Sequence, residues 1–327
     1  MRVGILYQMP RKTRGLAALR VQAVHAQVLA VKRAVVEAGH RALAVKMTPS
    51  SFTKLREMKL NAIINLCQDH VRQKGYLEPH VSAMLDLLDV PYTGSNYLTI
   101  ATSLDKIRSK ELLVYHGLPT PHFAVLTLPE RPFVPPFQGK LFLKPAYQDG
   151  SIGIDRDSVV ETEKQYKLKL ANLIRQFKEP IIVEQYLPGR EFIIEIVGNR
   201  KPEVLPIAER LFLAGVPFVT SEGRWNPQSA QYGAVSLQCP ADLTPTLRKR
   251  LERLALRAYQ VLGCRDYAKV DIRCNARGKP FILEVNPHQD MGDSSELALI
   301  WQQSGKTYAQ LVDKLLSLAM ERKKRVS

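Results

Sequence analysis

Several features that mark other protein classes are scarce or absent in this sequence of 327 residues. It has only four cysteines, at positions 67, 239, 264 and 274, and none forms a C-x-x-C pair, so neither a zinc site nor a disulfide framework is expected. No apolar run approaches the roughly 20 residues of a membrane-spanning helix. The apolar stretch at the N-terminus is too short for a signal peptide. The expected location is therefore cytoplasmic, with no membrane partner.

Acidic residues are also few relative to basic ones. There are 31 Asp and Glu against 47 Lys and Arg, a formal net charge of +16. Such a charge can attract nucleic acid, an acidic membrane surface or an anionic substrate. The basic residues are spread along the chain, with local clusters at 11–14, 248–253 and 322–325 that a solvated helix surface explains. Because no basic motif is interleaved with aromatic residues, nucleic acid is not an expected partner.

The first hundred residues alternate between strand and helix patterns. Short apolar runs at 3–7, 43–45, 62–66 and 90–92 predict strands, and helical apolar spacing predicts helices at 19–38, 51–60 and 79–88. Alternating strands and helices are typical of a parallel sheet covered on both faces. The sequence therefore predicts an open α/β domain at the N-terminus.

The remainder of the chain has a mixed pattern. It predicts a helix at 103–116, strands through 123–212 with one helix at 161–177, and a polar loop at 220–231. A basic helix at 244–262 and a last helix at 307–320 enclose two alternating runs, at 268–274 and 280–285. No internal repeat or low-complexity tract is present. With 45% hydrophobic residues, the chain can bury substantial cores.

The two alternating runs form a predicted hairpin with a cluster of oxygen ligands. The segment 275–279 contains a glycine and joins the runs, which is a hairpin signal. One face of that hairpin would carry Asp271, Glu284 and Asn286. Mg²⁺ prefers such oxygen ligands and usually shares its coordination with substrate phosphates. A single acid on a solvated strand face would be unremarkable, and the spacing of all three is what predicts a metal site.

Five segments resemble ATP-grasp ligases of the D-alanine-D-alanine ligase type, in matching order and spacing. They are DKIRSKELLVYHGLPTP (105–121), FLKPAYQDGSIGI (142–154), IIVEQYLPGREF (181–192), YAKVDI (267–272) and FILEVNP (281–287). The first third resembles the family more weakly, through VPYTGS (90–95).

The resemblance implies an α/β chain with the ATP-grasp fold. It implies an open parallel-sheet domain at 1–100, a small central α+β lobe at 101–190 and a larger C-terminal α+β lobe at 191–327. It also implies ATP as the nucleotide, Mg²⁺ as the metal with Mn²⁺ as an alternative, and a homodimer, since the family is often dimeric.

Two lysines and a glycine loop are the expected phosphate contacts. Lys144 follows a short apolar strand and precedes a loop at 147–153 whose glycines let backbone N–H groups approach phosphates. In the family that the chain resembles, the matching lysine contacts the phosphates and the loop folds over them, which assigns these roles to Lys144 and Ser151. Lys106 matches a second phosphate-contacting lysine. Without the resemblance, an exposed residue at the start of a helix is an equally good interpretation of Lys106.

The adenosine contacts are expected at the end of one strand. Glu184, Gln185 and Leu187 lie at a strand-to-turn segment that can present backbone groups to an adenine edge. Glu191 can accept hydrogen bonds from ribose hydroxyls, and the resemblance assigns matching positions these roles. An ordinary strand carboxylate is the alternative interpretation of Glu191.

Lys269 and Ser295 are the expected contacts to the reacting groups. Lys269 lies two residues before Asp271 and therefore on the same strand face. It stands where the resembled family has an arginine that stabilises a developing oxyanion, so the charge is kept but bidentate geometry is lost. Ser295 matches a serine that holds the second substrate.

The sequence departs from the family where the first amino acid would bind. The family's early loop carries a glutamate for the substrate ammonium, whereas residues 8–20 here contain no acid. A positively charged loop favours a carboxylate donor that has an anionic or uncharged group where D-alanine has its amine. Arg11, Lys12, Arg14 or Arg20 would contact that group. Gly150 stands where the family has a serine that supports that glutamate. D-alanine is therefore expected to be a poor first substrate.

A second departure follows Asn286. The segment PHQDMGDSSEL (287–297) keeps Ser295 but adds the negative charges of Asp290 and Glu296. An acidic wall could receive an amine, with His288 or Asp290 near enough to act as base. Alternatively, these acids cap the next helix, because Asp293 and Ser294 precede an apolar helical run.

The sequence predicts an ATP-dependent ligase that joins a small-molecule carboxylate to an amine through an acyl-phosphate. The alternative is a non-catalytic protein on the same fold that binds ATP or an acidic partner, which the missing acidic loop and the high charge favour. Retention of all three metal ligands weighs against this alternative, because a binding protein does not need them.

Overall fold

The computed structural model describes residues 1–9, 16–68, 78–127, 139–213 and 215–323, with the side chains of 16–20 and 323 outside the description. The predicted loop residues Arg11, Lys12 and Arg14, and the side chain of Arg20, lie outside the described parts. Among the described residues, no helix is long and apolar enough to span a bilayer.

The first sheet is parallel, as predicted, and it has three strands rather than the four that the sequence pattern indicated. Strands β1 (Arg2–Tyr7), β2 (Arg41–Lys46) and β3 (Ala62–Leu66) lie in the order β2-β1-β3. Helices α1 (Leu16–Glu37), α2 (Ser51–Glu57) and α3 (Glu78–Leu87) connect or flank them. The strand predicted at 90–92 is wrong, because the chain makes only a single bridge from Tyr92 to Ile63. It then turns at Gly94, whose φ of +92° ends the extended backbone.

The helix predicted at 103–116 begins later, as α5 (Lys106–Tyr115), and a helix that was not predicted, α4 (Tyr97–Leu104), precedes it. They meet at Asp105, which has extended backbone, and its carboxylate accepts hydrogen bonds from the N–H groups of Ile107 and Arg108. Asp105 is therefore an N-cap that starts a new helix. The cap fixes Lys106 as the first residue of α5.

The second sheet is four-stranded and antiparallel. Its strands are β4 (Phe123–Leu126), β5 (Leu141–Pro145), β6 (Val159–Val160) and β7 (Ile181–Gln185), in the order β4-β7-β5-β6. Helix α6 (Glu163–Phe177) begins at a capping box between Thr162 and Gln165 and buries Tyr166, Leu170 and Leu173 against the sheet. The prediction of one helix at 161–177 is confirmed.

The third sheet has six strands. They are β8 (Glu191–Val197), β9 (Glu203–Val204), β10 (Ala208–Phe212), β11 (Val235–Gln238), β12 (Tyr267–Cys274) and β13 (Pro280–Asn286), in the order β11-β10-β8-β12-β13 with β9 beside β8. The helices of this part are α7 (Ser221–Trp225), α8 (Pro245–Val261), α9 (Glu296–Gln302) and α10 (Tyr308–Lys323). The predicted hairpin is β12 and β13, and α7 lies inside the predicted polar loop.

The two faces of β8 and β12 differ in chemistry. Side chains alternate across a strand, and Ile194, Ile196, Ala268, Val270 and Ile272 all pack into the core under α8. The opposite face carries charged side chains among apolar ones, although all eight residues of β12 are buried. The functional side chains of this sheet therefore lie on one face because of a period of two in the sequence.

Buried Asp266 holds the start of β12. Its carboxylate accepts hydrogen bonds from the Gly94 N–H at 2.8 Å and from Asn199 Nδ2 at 3.0 Å, and it pairs with Arg322 of α10. Three separate segments thus meet at one carboxylate, which ties the first sheet and α10 to the strand that carries the predicted metal ligand.

Candidate active site

A cavity opens between the second and third sheets. Nine of the twelve residues predicted for the site line it: Lys106, Lys144, Ser151, Glu184, Gln185, Leu187, Glu191, Asp271 and Glu284. Arg210, Arg224 and Arg273, which the site prediction did not include, line it as well. Lys269, Asn286 and Ser295 lie outside its lining.

One carboxylate and two lysines form a buried cluster at one end. Lys144 Nζ lies 2.7 Å from Glu184 Oε1, and Lys110 Nζ lies 2.9 Å from Glu184 Oε2. Lys110 Nζ also donates to Thr120 Oγ1 at 2.7 Å. Burial alone would raise the pKa of Glu184, but the charges of Lys110 and Lys144 outweigh it and lower that pKa to about 2. The cluster of two lysines and one carboxylate therefore carries a net positive charge.

Lys110 is a site residue that the sequence prediction missed. Burial lowers its pKa to about 8, although Glu184 opposes the shift. The sequence held a signal for Lys110, because Lys106 and Lys110 are four residues apart and so share one face of α5.

The glycine loop is held in place from two sides. Lys106 Nζ donates to the Gln148 carbonyl at 2.5 Å, and Trp225 Nε1 donates to the Gly150 carbonyl at 2.7 Å. Gly150 has a φ of +62°, and a Cβ there would lie 3.0 Å from the Trp225 ring. Glycine at this position therefore follows from the backbone conformation and from the tryptophan that packs on it.

The third sheet contributes a row of alternating charges, here termed the charged ladder. Its members, in spatial order, are Arg273, Glu191, Arg210, Glu296, Lys269 and Asp271. Each charge in the row lies within 4 Å of an opposite charge, with distances from 2.6 to 3.8 Å. These contacts run from Arg273 on β12 across β8 and β10 to Glu296 of α9, and they return to β12 at Lys269 and Asp271.

Glu191 is less available to a ligand than the sequence suggested. Its two oxygens accept from Arg210 Nη1 at 2.6 Å and from Arg273 Nη1 at 2.9 Å. Arg210 lies directly opposite Glu191 in the pairing of β10 with β8. This pairing depends on strand register between distant segments, which the sequence alone does not give.

Asp271 and Glu284 could hold a metal ion. They lie directly opposite each other on β12 and β13, and Asn286 Nδ2 donates to Glu284 Oε1 at 3.1 Å. Asp271 Oδ1 is buried without a hydrogen-bond partner. Burial raises the pKa of Asp271 to about 7, with Glu284 adding to the shift against Lys269 and Arg210. A buried carboxylate oxygen without a donor fits a cation.

The donor set suits a metal that shares its coordination with a ligand. Within the described ranges, no group of three or more His, Cys, Asp or Glu side chains could hold a metal ion by itself. Asp271, Glu284 and Asn286 would fill only part of the coordination shell of a metal ion. Mg²⁺ prefers this arrangement, since substrate phosphates and water usually complete its shell.

The remaining predicted residues have other partners. Lys269 Nζ donates to Glu296 Oε2 at 2.7 Å, and the Ser295 hydroxyl accepts from the Ala298 N–H as the N-cap of α9. His288 is buried, with one ring nitrogen 2.6 Å from Glu78 Oε1 and the other 3.0 Å from the Asn65 carbonyl. Asp290 accepts from Gln27 Nε2 at 2.7 Å. His288 and Asp290 are therefore not placed to act as the base.

Comparison with known proteins identifies relatives of this chain. A family model described as "D-ala D-ala ligase C-terminus" matches residues 113–317. The chain is 31% identical over 247 residues to a D-alanine–D-alanine ligase from Desulforudis audaxviator, covering 74% of this chain and 77% of that protein. It is 30% identical over 253 residues to y4sG, an uncharacterized protein of Sinorhizobium fredii, covering 76% and 72%.

A solved structure shares the whole fold. The crystal structure of D-alanine–D-alanine ligase from Bacillus anthracis complexed with ATP aligns over 100% of both chains with a TM-score of 0.76 at 19% identity. At that identity, the similarity establishes the ATP-grasp fold predicted from the sequence.

Replacing Glu184 should destabilise the protein in a pH-dependent way. Glu184→Gln leaves Lys110 and Lys144 buried without their counter-charge, and we expect a loss of about 3–5 kcal/mol in the free energy of unfolding at pH 7. Because the pKa of Glu184 falls from 4.5 to about 2 on folding, its stabilisation is complete above about pH 4.5. The difference between wild type and variant should shrink as the pH falls toward 2. Urea denaturation across this pH range measures it.

Glu163→Gln is the matched control, because Glu163 pairs with Lys167 on an exposed helix face. An exposed pair contributes little, so the control should unfold like the wild type. Equal stability of Glu184→Gln and wild type at pH 7 would contradict the assignment of Glu184 as the counter-charge.

Proposed function

Because the chain belongs to the D-ala D-ala ligase family, we propose that it is an ATP-dependent ligase that joins a carboxylate to an amine. The observation that carries this proposal is the distribution of charge in the cavity. Lys106 and Lys144 line the cavity, Lys110 pairs with Glu184 beside it, and Asp271 and Glu284 lie opposite each other where a metal ion would be held. A polyanion with a bound divalent cation is the ligand that fits both features.

We propose that the nucleotide lies between the lobes at 101–190 and 191–327. Lys106 and Lys144 face its phosphates, with Ser151 in the loop above them, and the segment from Glu184 to Leu187 receives the adenine. Glu191 lies at the ribose end of this arrangement, already held by two arginines. Leu187 is buried and gives the base an apolar contact.

The proposed reaction has two steps. A carboxylate oxygen of the donor attacks the terminal phosphorus of ATP, and the bond between that phosphorus and ADP breaks. The amine nitrogen then attacks the carbonyl carbon of the acyl-phosphate, the bond from that carbon to the phosphate oxygen breaks, and a proton passes to water. The products are an amide, ADP and inorganic phosphate.

The side chains contribute chiefly charge and position. Asp271, Glu284 and Asn286 would hold Mg²⁺, which neutralises phosphate charge during transfer. Lys269, beside Asp271, is proposed to stabilise the negative charge that develops on the carbonyl oxygen. Ser295 uses its oxygen to cap α9, and its hydroxyl hydrogen remains able to donate to the second substrate.

Phosphate release tests this function. The protein incubated with ATP, Mg²⁺ and mixed carboxylates and amines should release phosphate only when both substrate classes are present. Glu284→Gln removes a proposed metal ligand and should reduce the rate by about a hundredfold or more, since groups that stabilise transferred charge are worth that much.

Glu203→Gln changes an exposed acid outside the cavity and should leave the rate unchanged. Absence of ATP binding by calorimetry at millimolar Mg²⁺ would contradict the proposal. Tight ATP binding without phosphate release in any mixture would instead favour a non-catalytic nucleotide-binding protein.

Nucleotide affinity should depend on Lys144 specifically. Lys144→Met removes a charge-assisted hydrogen bond to phosphate, and we expect the Kd for ADP with Mg²⁺ to rise about 10-fold to 100-fold. Lys140→Met is the control, because Lys140 is an exposed lysine near the same strand that pairs with Glu161. Calorimetric titration of both variants measures the change, and equal affinities in the two variants would remove Lys144 from the phosphate site.

A further inference from the structure

Glu296 covers two buried cations of the active-site face. Its Oε1 accepts from Arg210 Nη2 and its Oε2 accepts from Lys269 Nζ, both at 2.7 Å. The side chain of Glu296 is 34% exposed, whereas those of Lys269 and Arg210 are 7% and 8% exposed. The glutamate therefore lies on the solvent side of both cations and uses both of its oxygens to hold them.

The same two cations are also paired on their inner sides. Arg210 donates through Nη1 to Glu191, and Lys269 Nζ lies 3.8 Å from Asp271 Oδ2. In the charged ladder, three cations face three carboxylates. Glu195, opposite Lys269 on β8, adds a further buried carboxyl whose Oε2 accepts from Gln289 and whose Oε1 has no hydrogen-bond partner. Within the ladder, each cation therefore already has a carboxylate partner.

Helix capping does not account for the position of Glu296. Ser295 is the N-cap of α9 through its side chain. Of the other acids in the preceding segment, Asp290 accepts from Gln27, and Asp293 pairs with the exposed Arg33 at 3.0 Å. Glu296 differs from these neighbours because it alone of the three contacts members of the charged ladder.

The two ends of the site consequently differ in what they can bind. At the Lys110 and Lys144 end, positive charge exceeds negative charge and an anion is favoured. At the Glu296 end, a carboxylate of the protein already occupies the position between Lys269 and Arg210. A substrate carboxylate would have to displace it from both cations.

We propose that the acceptor in this reaction is a primary amine that carries no carboxylate, and that Glu296 excludes amino acids from the acceptor position. This assignment rests on the ligase function proposed above. The bonds made and broken are unchanged: the amine nitrogen replaces phosphate on the acyl carbon and releases one proton to water. The product is an amide that lacks a new terminal carboxylate.

The experiment compares D-alanine with D-alaninamide, which differ only in the carboxylate. Hydroxylamine is used first, with ATP, Mg²⁺ and a panel of carboxylates without amino groups, to identify a donor by hydroxamate formation. With that donor, the amide products of the two acceptors are quantified by mass spectrometry. We expect kcat/KM for D-alaninamide to exceed that for D-alanine about tenfold or more, the size of an effect that charged hydrogen bonds produce.

Two variants make the test specific to Glu296. Glu296→Gln keeps the shape of the side chain but removes the negative charge that pairs with Lys269 and Arg210. The ratio of kcat/KM for D-alaninamide to kcat/KM for D-alanine should therefore fall to about one or below it. Asp293→Asn removes an acid three residues away that faces Arg33, and it should keep the wild-type preference. Hydroxamate formation by each variant reports the first step independently of the acceptor.

The outcomes separate the two proposals. Hydroxamate formation combined with equal or better use of D-alanine by the wild type would overturn the acceptor assignment and leave the ligase function standing. The same holds if Glu296→Gln retains the full preference. Absence of hydroxamate with every donor would overturn the ligase function itself, and the acceptor assignment with it.

Discussion

Every member of the charged ladder on the active-site face of the third sheet lies against an opposite charge. Arg273 and Arg210 share Glu191, and Arg210 and Lys269 share Glu296. Removing one member would leave its partner buried and unpaired, which typically costs about 3–5 kcal/mol. Well-packed apolar residues often replace buried ion pairs without loss of stability. The ladder is therefore better explained by the geometry it gives the site than by the stability it adds to the fold.

Burial and pairing also distribute charge unevenly along the cavity. The cluster of Lys110, Lys144 and Glu184 has one uncompensated positive charge, and Lys106 adds another beside the glycine loop. Asp271 and Glu284 place two carboxylates next to each other, one with an oxygen that has no donor. Lysines and a pair of carboxylates thus line one cavity, as the proposed nucleotide and metal require, and Glu296 pairs with Arg210 and Lys269 on the third sheet.

The sequence was sufficient for features that depend on local spacing. The hairpin with Asp271 and Glu284 on one face follows from a period of two, and the parallel pairing of the first sheet follows from alternating strand and helix patterns. The partners of Glu191 could not be predicted, because they depend on which residues of β10 and β12 lie beside β8. The helix predicted from residue 103 begins at Lys106 instead, because the side chain of Asp105 caps it.

The role of Glu296 is a second feature that the sequence alone could not decide. Its sequence context allowed both an acidic substrate wall and a helix cap, and only the contacts to Arg210 and Lys269 distinguish them. Lys110 differs, because its spacing from Lys106 on one helix face was visible in the sequence. Its burial against Glu184 depends on the neighbouring strand β7.

The fate of the donor's oxygen tests the central claim most directly. If the carboxylate is phosphorylated before the amine attacks, one of its oxygens must leave with the phosphate. A donor labelled with oxygen-18 in its carboxylate, incubated with ATP, Mg²⁺ and an amine, should therefore yield inorganic phosphate that carries one labelled oxygen, as seen by mass spectrometry. Release of unlabelled phosphate from the labelled donor would contradict an acyl-phosphate route and the ligase function derived from it.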